Sequence, residues 1–267
     1  MGRTFSKLKK SAKTAGDSKV PKELVDEILD HLAGDMRTLR SCSLVAKSWI
    51  SPSRRLLFSA LLLDTDRILA WNKTFPSPEN SPARHVRELT ISFEQTTPID
   101  FADRMPYFSN VQQLSLSGLL PTDPGFTSKA LGQLPPTIRS VTFTLRKVLT
   151  VDLVSVIRQL LNLNDLSFYL VDLGGKFPVG LGKPIQSRLG GKLLLHGVSP
   201  IRNILDMLME VQTGPRFVEV EIRETRMSNF SAALKLVGAC QDTMTKFHFS
   251  AFLRGRSLFL ACTKFSH

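Results

Sequence analysis

No apolar run in this chain approaches the ~18 residues that a bilayer-spanning helix needs, so no segment is expected to cross a membrane. Cysteine is scarce: Cys42, Cys240 and Cys262 stand far apart with no CxxC pair. That excludes a disulfide framework and a zinc-ribbon site, and it points to a reducing compartment. The five histidines (His31, His85, His196, His248 and His267) are scattered without metal-ligand spacing, so no metal site is expected. There is no G-x-S-x-G element and no cysteine–histidine pairing. The run from Gly174-Gly175-Lys176 to Gly182-Lys183 fails the phosphate-loop spacing: Phe stands at 177, and Pro184 follows Lys183 where Ser or Thr is required. No catalytic residues and no cofactor are therefore expected. Trp49 and Trp71, the only two tryptophans, read as packing residues.

Positive charge is abundant, with a net charge of +12 over 267 residues. Its distribution matters more than its size. Residues 1–19 carry Arg3, Lys7, Lys9, Lys10, Lys13 and Lys19 against Asp17, or +5, and the remainder is spread along the chain. No basic stripe with interleaved aromatics runs through it, which argues against a nucleic-acid binder. The arm lacks an apolar core region and does not read as a secretory signal. It is expected to be a disordered basic arm.

Residues 20–58 carry a distinctive order of apolar positions. Pro21 suits a helix start, and Glu23, Asp26 and Glu27 suit the macrodipole of its N-terminal half. Leu24, Ile28 and Leu32 step by four, with Val25 and Leu29 beside them, so the spacing predicts one wide apolar face. Gly34 is expected to cap this helix at its C-terminus. Asp35 is expected to cap a second helix over residues 36–48. So small a module has more apolar surface than it can bury alone, which suggests docking on a partner.

With Pro21, Glu23, Leu24, Ile28, Leu29, Leu32, Leu39, Leu44, Val45 and Trp49 in register, this segment resembles an F-box. The run from Cys42 to Trp49 is similar to those of the expanded F-box families of mushroom-forming fungi. Val20 departs from the usual leucine. The resemblance implies a three-helix F-box that docks on a Skp-type adaptor, and through it a cullin, by way of Pro21, Leu24, Ile28, Leu29, Leu32 and Leu44, with Trp49 packing at its end.

A repeat runs through the rest of the chain. Its template is apolar-x-x-apolar-x-apolar, from Phe58-x-x-Leu61-x-Leu63 to Met244-x-x-Phe247-x-Phe249. At the second apolar position the copies fall at Leu61, Leu89, Leu114, Val141, Leu166, Leu193, Val220 and Phe247, in steps of 25 to 28 residues. That period and template are the leucine-rich-repeat signature. In the copy at Leu193, Gly190 occupies the leading apolar position, and a distortion is expected there. The Asn or Cys that usually follows the strand is missing, so irregular turns are expected. Helix-like periodicity over residues 66–75, 101–108, 151–163, 200–211 and 231–240 alternates with the strands. The segment 177–184 is a Gly/Pro loop. After the last copy, the apolar Phe252, Leu253, Leu258, Phe259 and Leu260 make a poor polar cap, as in a short or truncated chain or one whose end a partner covers.

The expected fold is thus α/β: a basic arm over 1–19, an F-box over 20–58, and an irregular leucine-rich-repeat β/α solenoid over 59–267. In such a repeat the strand residues between template positions face a concave surface. Tyr169, His196, Arg223 and His248 stand out on it, since binding hot spots favour Tyr and Arg and His196 and His248 are the only imidazoles on the face. The expected function is that of a non-catalytic substrate receptor of an SCF-type ubiquitin ligase, in the cytoplasm or nucleus, with an unidentified protein target. An F-box scaffold acting outside ubiquitin transfer, or a basic repeat protein binding nucleic acid, are the alternatives.

Overall fold

The repeat seen in the sequence is the pairing register of the sheet. Leu61 pairs with Leu89, Leu89 with Leu114, Leu114 with Val141 and Val141 with Leu166. The series continues from Leu166 to Leu193, Val220 and Phe247. The computed structural model describes residues 20–94, 99–119, 132–146, 148–174, 188–212, 214–253 and 256–263. The basic arm and the 177–184 loop lie outside them. The chain divides into two compact units, Met1–Leu57 and Phe58–His267.

Among its described residues the first unit contains three helices, α1 (Lys22–His31), α2 (Met36–Cys42) and α3 (Lys47–Leu57). The Asp35 carboxylate accepts the Arg37 and Thr38 backbone N–H groups and the Thr38 hydroxyl, and so caps α2. These bonds, the Thr38 hydroxyl first, hold the Asp35 carboxyl below the usual carboxylate range. Two expectations fail here. The stretch 36–48 is not one helix: a turn over Ser43–Val45 separates α2 from α3. Gly34 is not the C-cap of α1. Leu32 takes that place, and its N–H bonds back to the Leu29 carbonyl oxygen at 2.9 Å. A tight turn closes α1 before Gly34 is reached, so no left-handed residue is needed. The core is small: Val25, Leu29 and Leu39, with Leu32, Cys42, Trp49, Leu56 and Leu57 packed on it.

The second unit runs β1 (Ala60–Leu63), α4 (Thr65–Thr74), β2 (Glu88–Phe93), a 3₁₀ segment (Ile99–Tyr107), β3 (Gln113–Leu119), β4 (Ser140–Arg146), β5 (Val148–Leu149), α5 (Thr150–Gln159) and β6 (Asn162–Tyr169). It continues with β7 (Leu173–Gly174), β8 (Arg188–His196), α6 (Ile201–Met209), β9 (Arg216–Arg226), α7 (Phe230–Ala239), β10 (Lys246–Leu253) and β11 (Arg256–Thr263). Nine strands form one sheet in the order β1-β2-β3-β4-β6-β8-β9-β10-β11, and β5 pairs with β7 apart from it. The strands run parallel as far as β10. A parallel pair needs a crossover connection, and the segments between the repeats supply it.

Alternation along each strand sorts the side chains. Leu89 and Ile91, Leu114 and Leu116, Val141 and Phe143, and Leu166 and Phe168 are buried in one continuous core, while Thr90, Ser115, Thr142 and Ser167 lie on the open face. The helices cover the core side with Ile68 and Trp71 from α4, Leu153 and Ile157 from α5, and Ile204 and Leu208 from α6. Phe143 and Phe168, from adjacent strands, stack with ring centroids 5.1 Å apart. Strand entry also repeats. The N–H groups of Arg87 and Glu88 share the Ser59 carbonyl, and those of Gln112 and Gln113 share the Arg87 carbonyl. Arg139 and Ser140 share the Gln112 carbonyl in the same way, and Asn164 and Asp165 share that of Arg139.

Several expectations about the repeats need correction. The turns after β6, β8 and β9 share one feature where irregularity was expected. Leu170, Gly197 and Glu224, 27 residues apart, all have left-handed backbone with φ of 51°, 61° and 54°. Each is followed by a buried residue, Val171, Val198 or Thr225, which takes the place of the usual asparagine. The leading apolar residue of the distorted copy is Leu189, not Gly190: Leu189 pairs with Leu163 and is buried. An extra residue in β8 between this pair and Lys192 makes room for it. Residues 101–108 lie largely in a 3₁₀ segment, and the 151–163 periodicity ends at Gln159 because Leu163 belongs to β6. β11 follows β10 and pairs antiparallel to it, so Leu258 and Leu260, expected only to make a poor polar cap, lie on a strand. Among the described residues, no helix is long and apolar enough to cross a membrane.

Candidate protein-interaction surfaces

An amphipathic helix of 3.6-residue period divides its apolar residues into neighbouring stripes. In α1, Val25 and Leu29 form the buried stripe, and Leu24 (49% exposed) and Ile28 (44% exposed) form the next one. Pro21 precedes the helix and is exposed. Leu44, in the turn before α3, is 86% exposed, and Val45 beside it is exposed as well. Of the six residues expected to dock on a partner, four are therefore open to solvent: Pro21, Leu24, Ile28 and Leu44. Leu29 is not. It is fully buried in the core of its own unit and has no surface to offer. Leu32 is half-buried on the same core. Sequence spacing missed this because Val25, Leu29 and Leu32 share the face that packs inward, while one wide stripe was read as a single surface. Met36, exposed at the start of α2, was missed as a surface apolar residue. Trp49 packs on the core, and its Nε1 is buried without a described acceptor.

The second surface lies on the open face of the sheet. Tyr169 pairs with His196 and His196 with Arg223, so one row across β6, β8 and β9 carries three of the four residues singled out. His248 on β10 lies two residues lower, opposite Glu221. His196, Arg223 and His248 line one cavity of about 290 Å³, together with Glu224, Phe252 and Phe259. Tyr169 does not line it; its ring stands 6.0 Å from that of His196. Phe252 and Phe259, which wall the cavity, were named from the sequence only as parts of a poor polar cap. Their signal was the uninterrupted apolar run Leu258-Phe259-Leu260, which has no alternation and so did not read as a strand. Of the open-face residues, Leu194 is buried, and Ser250 is buried but lines this cavity.

Several charges towards the C-terminal strands of this face are paired, most of them across strands. Glu219 meets Lys246 and, at 3.7 Å, Lys192. Lys192 also lies 3.8 Å from Glu221, which accepts a 2.7 Å bond from Arg223 Nε. His196 Nε2 is 2.9 Å from Glu224 Oε2. The hydrogen bond from Lys246 is the main reason that the Glu219 carboxyl sits below its usual range. Exposed pairs of this kind contribute only about 0–1 kcal/mol each, so they can be exchanged for a partner's charges at small cost.

The fold defines a class: a mixed α/β protein with a mostly parallel nine-stranded sheet built in chain order. A scan against protein-family models finds no match for the chain, and neither does a search of the curated proteins.

Proposed function

We propose that the chain is a substrate receptor of an SCF-type ubiquitin ligase, with an F-box in the first unit and irregular leucine-rich repeats in the second. One observation carries the reading. Among the described residues, a three-helix unit with a core of three buried apolar residues leaves Pro21, Leu24, Ile28 and Leu44 in solvent, at positions that in an F-box meet the Skp-type adaptor. In-register stacking of one template strand per 25–28 residues supports the repeat assignment. In this reading the chain performs no chemistry. It holds a target protein on the open face, near His196, Arg223 and His248, so that other subunits reach the target's lysines. Proximity and orientation are its contribution. It would act in the cytoplasm or nucleus.

The test is adaptor pull-down with Leu24→Asp/Ile28→Asp. Both side chains are exposed, so the variant is expected to fold and to lose the adaptor. Undiminished binding would sink the proposal. Co-purification of the adaptor without a cullin would instead indicate a scaffold acting outside ubiquitin transfer.

A further inference from the structure

A groove lies at the distorted copy of the repeat. Between β6 and β8 the register slips by one residue after the pair Leu163–Leu189. Between β8 and β9 it slips again after Gly191–Phe217. A cavity of about 400 Å³ lies beside these two slips, at the N-terminal ends of β6, β8 and β9. Its polar lining comes from Asn162, Asn164, Arg188 and Arg216, and Gly190 and Gly214 leave part of its wall free of side chains.

The charge pattern is unlike that of the open face. There, Lys192, Arg223 and Lys246 each face a carboxylate. Here no aspartate or glutamate lines the cavity, and among the described residues neither the Arg188 nor the Arg216 guanidinium has an ion-pair or hydrogen-bond partner. Two like charges on one groove repel, and an anion placed between them relieves that repulsion. Guanidinium forks match the oxygens of phosphate, two at a time, and asparagine amides add neutral donors. The cavity is of a size that takes small-molecule ligands, well beyond a bare phosphate ion.

We infer that this groove is a binding site for the phosphate group of a phosphate monoester, with Arg188 and Arg216 as its principal contacts. The inference is independent of the adaptor-docking proposal. Both arginines are exposed, so binding is modest and weakens with salt.

Isothermal titration of the full chain with O-phosphoserine, and separately with inorganic phosphate, tests the site. Saturable binding of phosphoserine is expected. Arg188→Ala/Arg216→Ala should weaken it by roughly tenfold or more, from the loss of charge-assisted hydrogen bonds. A control with the same charge change elsewhere, Lys73→Ala/Arg202→Ala, should bind as the unaltered chain does. Tighter binding of phosphoserine than of phosphate supports recognition of an ester; equal binding supports the same site with free phosphate as its ligand. Failure of both probes to bind, or equal weakening in the control, overturns the inference. If circular dichroism shows the alanine pair unfolded, Arg188→Lys/Arg216→Lys keeps the charge and loses the forks, and unchanged binding by that variant also overturns it.

Discussion

Gly191 lies directly over the backbone of Asn164: a Cβ at position 191 would stand 2.0 Å from the Asn164 carbonyl oxygen. Its φ of 62° adds left-handed strain for any other residue. One position earlier, a Cβ on Gly190 would meet only the Arg216 carbonyl oxygen, at an ordinary 3.6 Å. Gly191→Ala is therefore expected to destabilise the second unit by about 2 kcal/mol or more, and Gly190→Ala by much less. Urea denaturation of the two variants side by side checks this. Equal stability would show that the two strands can part at no cost.

In the first unit, Leu29→Ala removes a fully buried side chain, at an expected cost of about 2–5 kcal/mol. Leu24→Ala removes an exposed one and should stay within about 0.5 kcal/mol of the unaltered protein. Trp49 fluorescence reports this unit alone in a Trp71→Phe background. A larger loss for Leu24 than for Leu29 would reverse the assignment of inner and outer stripes.

Asp35 links the first unit to pH. Its carboxyl is held below the usual range by the Thr38 hydroxyl and by backbone N–H groups. A folded pKa below the unfolded one means that the stabilisation is complete above the unfolded value. It is lost as pH falls through the folded value. Helicity monitored by circular dichroism should fall at acid pH through this cap. In Asp35→Asn, which keeps an N-cap acceptor without a titrating proton, that component of the acid transition should disappear. An unchanged profile would show that other carboxylates dominate.

Phe143→Ala breaks the ring stack with Phe168 and leaves a cavity in the middle of the sheet, at an expected cost of about 3–5 kcal/mol. Cooperative loss of the second unit at lower urea is the expected readout. A change below about 1 kcal/mol would mean that neighbouring repeats close the gap.

Much of the second unit was legible because its period is long and its template short. Seven consecutive pairings found by aligning apolar positions are the Cα partners of the sheet, since in-register parallel strands bury equivalent positions against one another. Tyr169, His196 and Arg223 fall in one row for the same reason. The sequence could not show that Leu29 faces inward while Ile28 faces outward, because both lie within one apolar arc. Nor could it show the left-handed turn at Leu170 and Glu224, where neither residue announces a positive φ.

Local pattern thus determined the strands that carry the repeat template and most of their buried side chains, because alternation and period are properties of the chain itself. Tertiary structure alone decided the two one-residue slips around Gly191, the antiparallel return of β11 against β10, and the gathering of Phe259 beside His248. These depend on where one strand comes to rest on another, and that is set by close packing between residues distant in sequence.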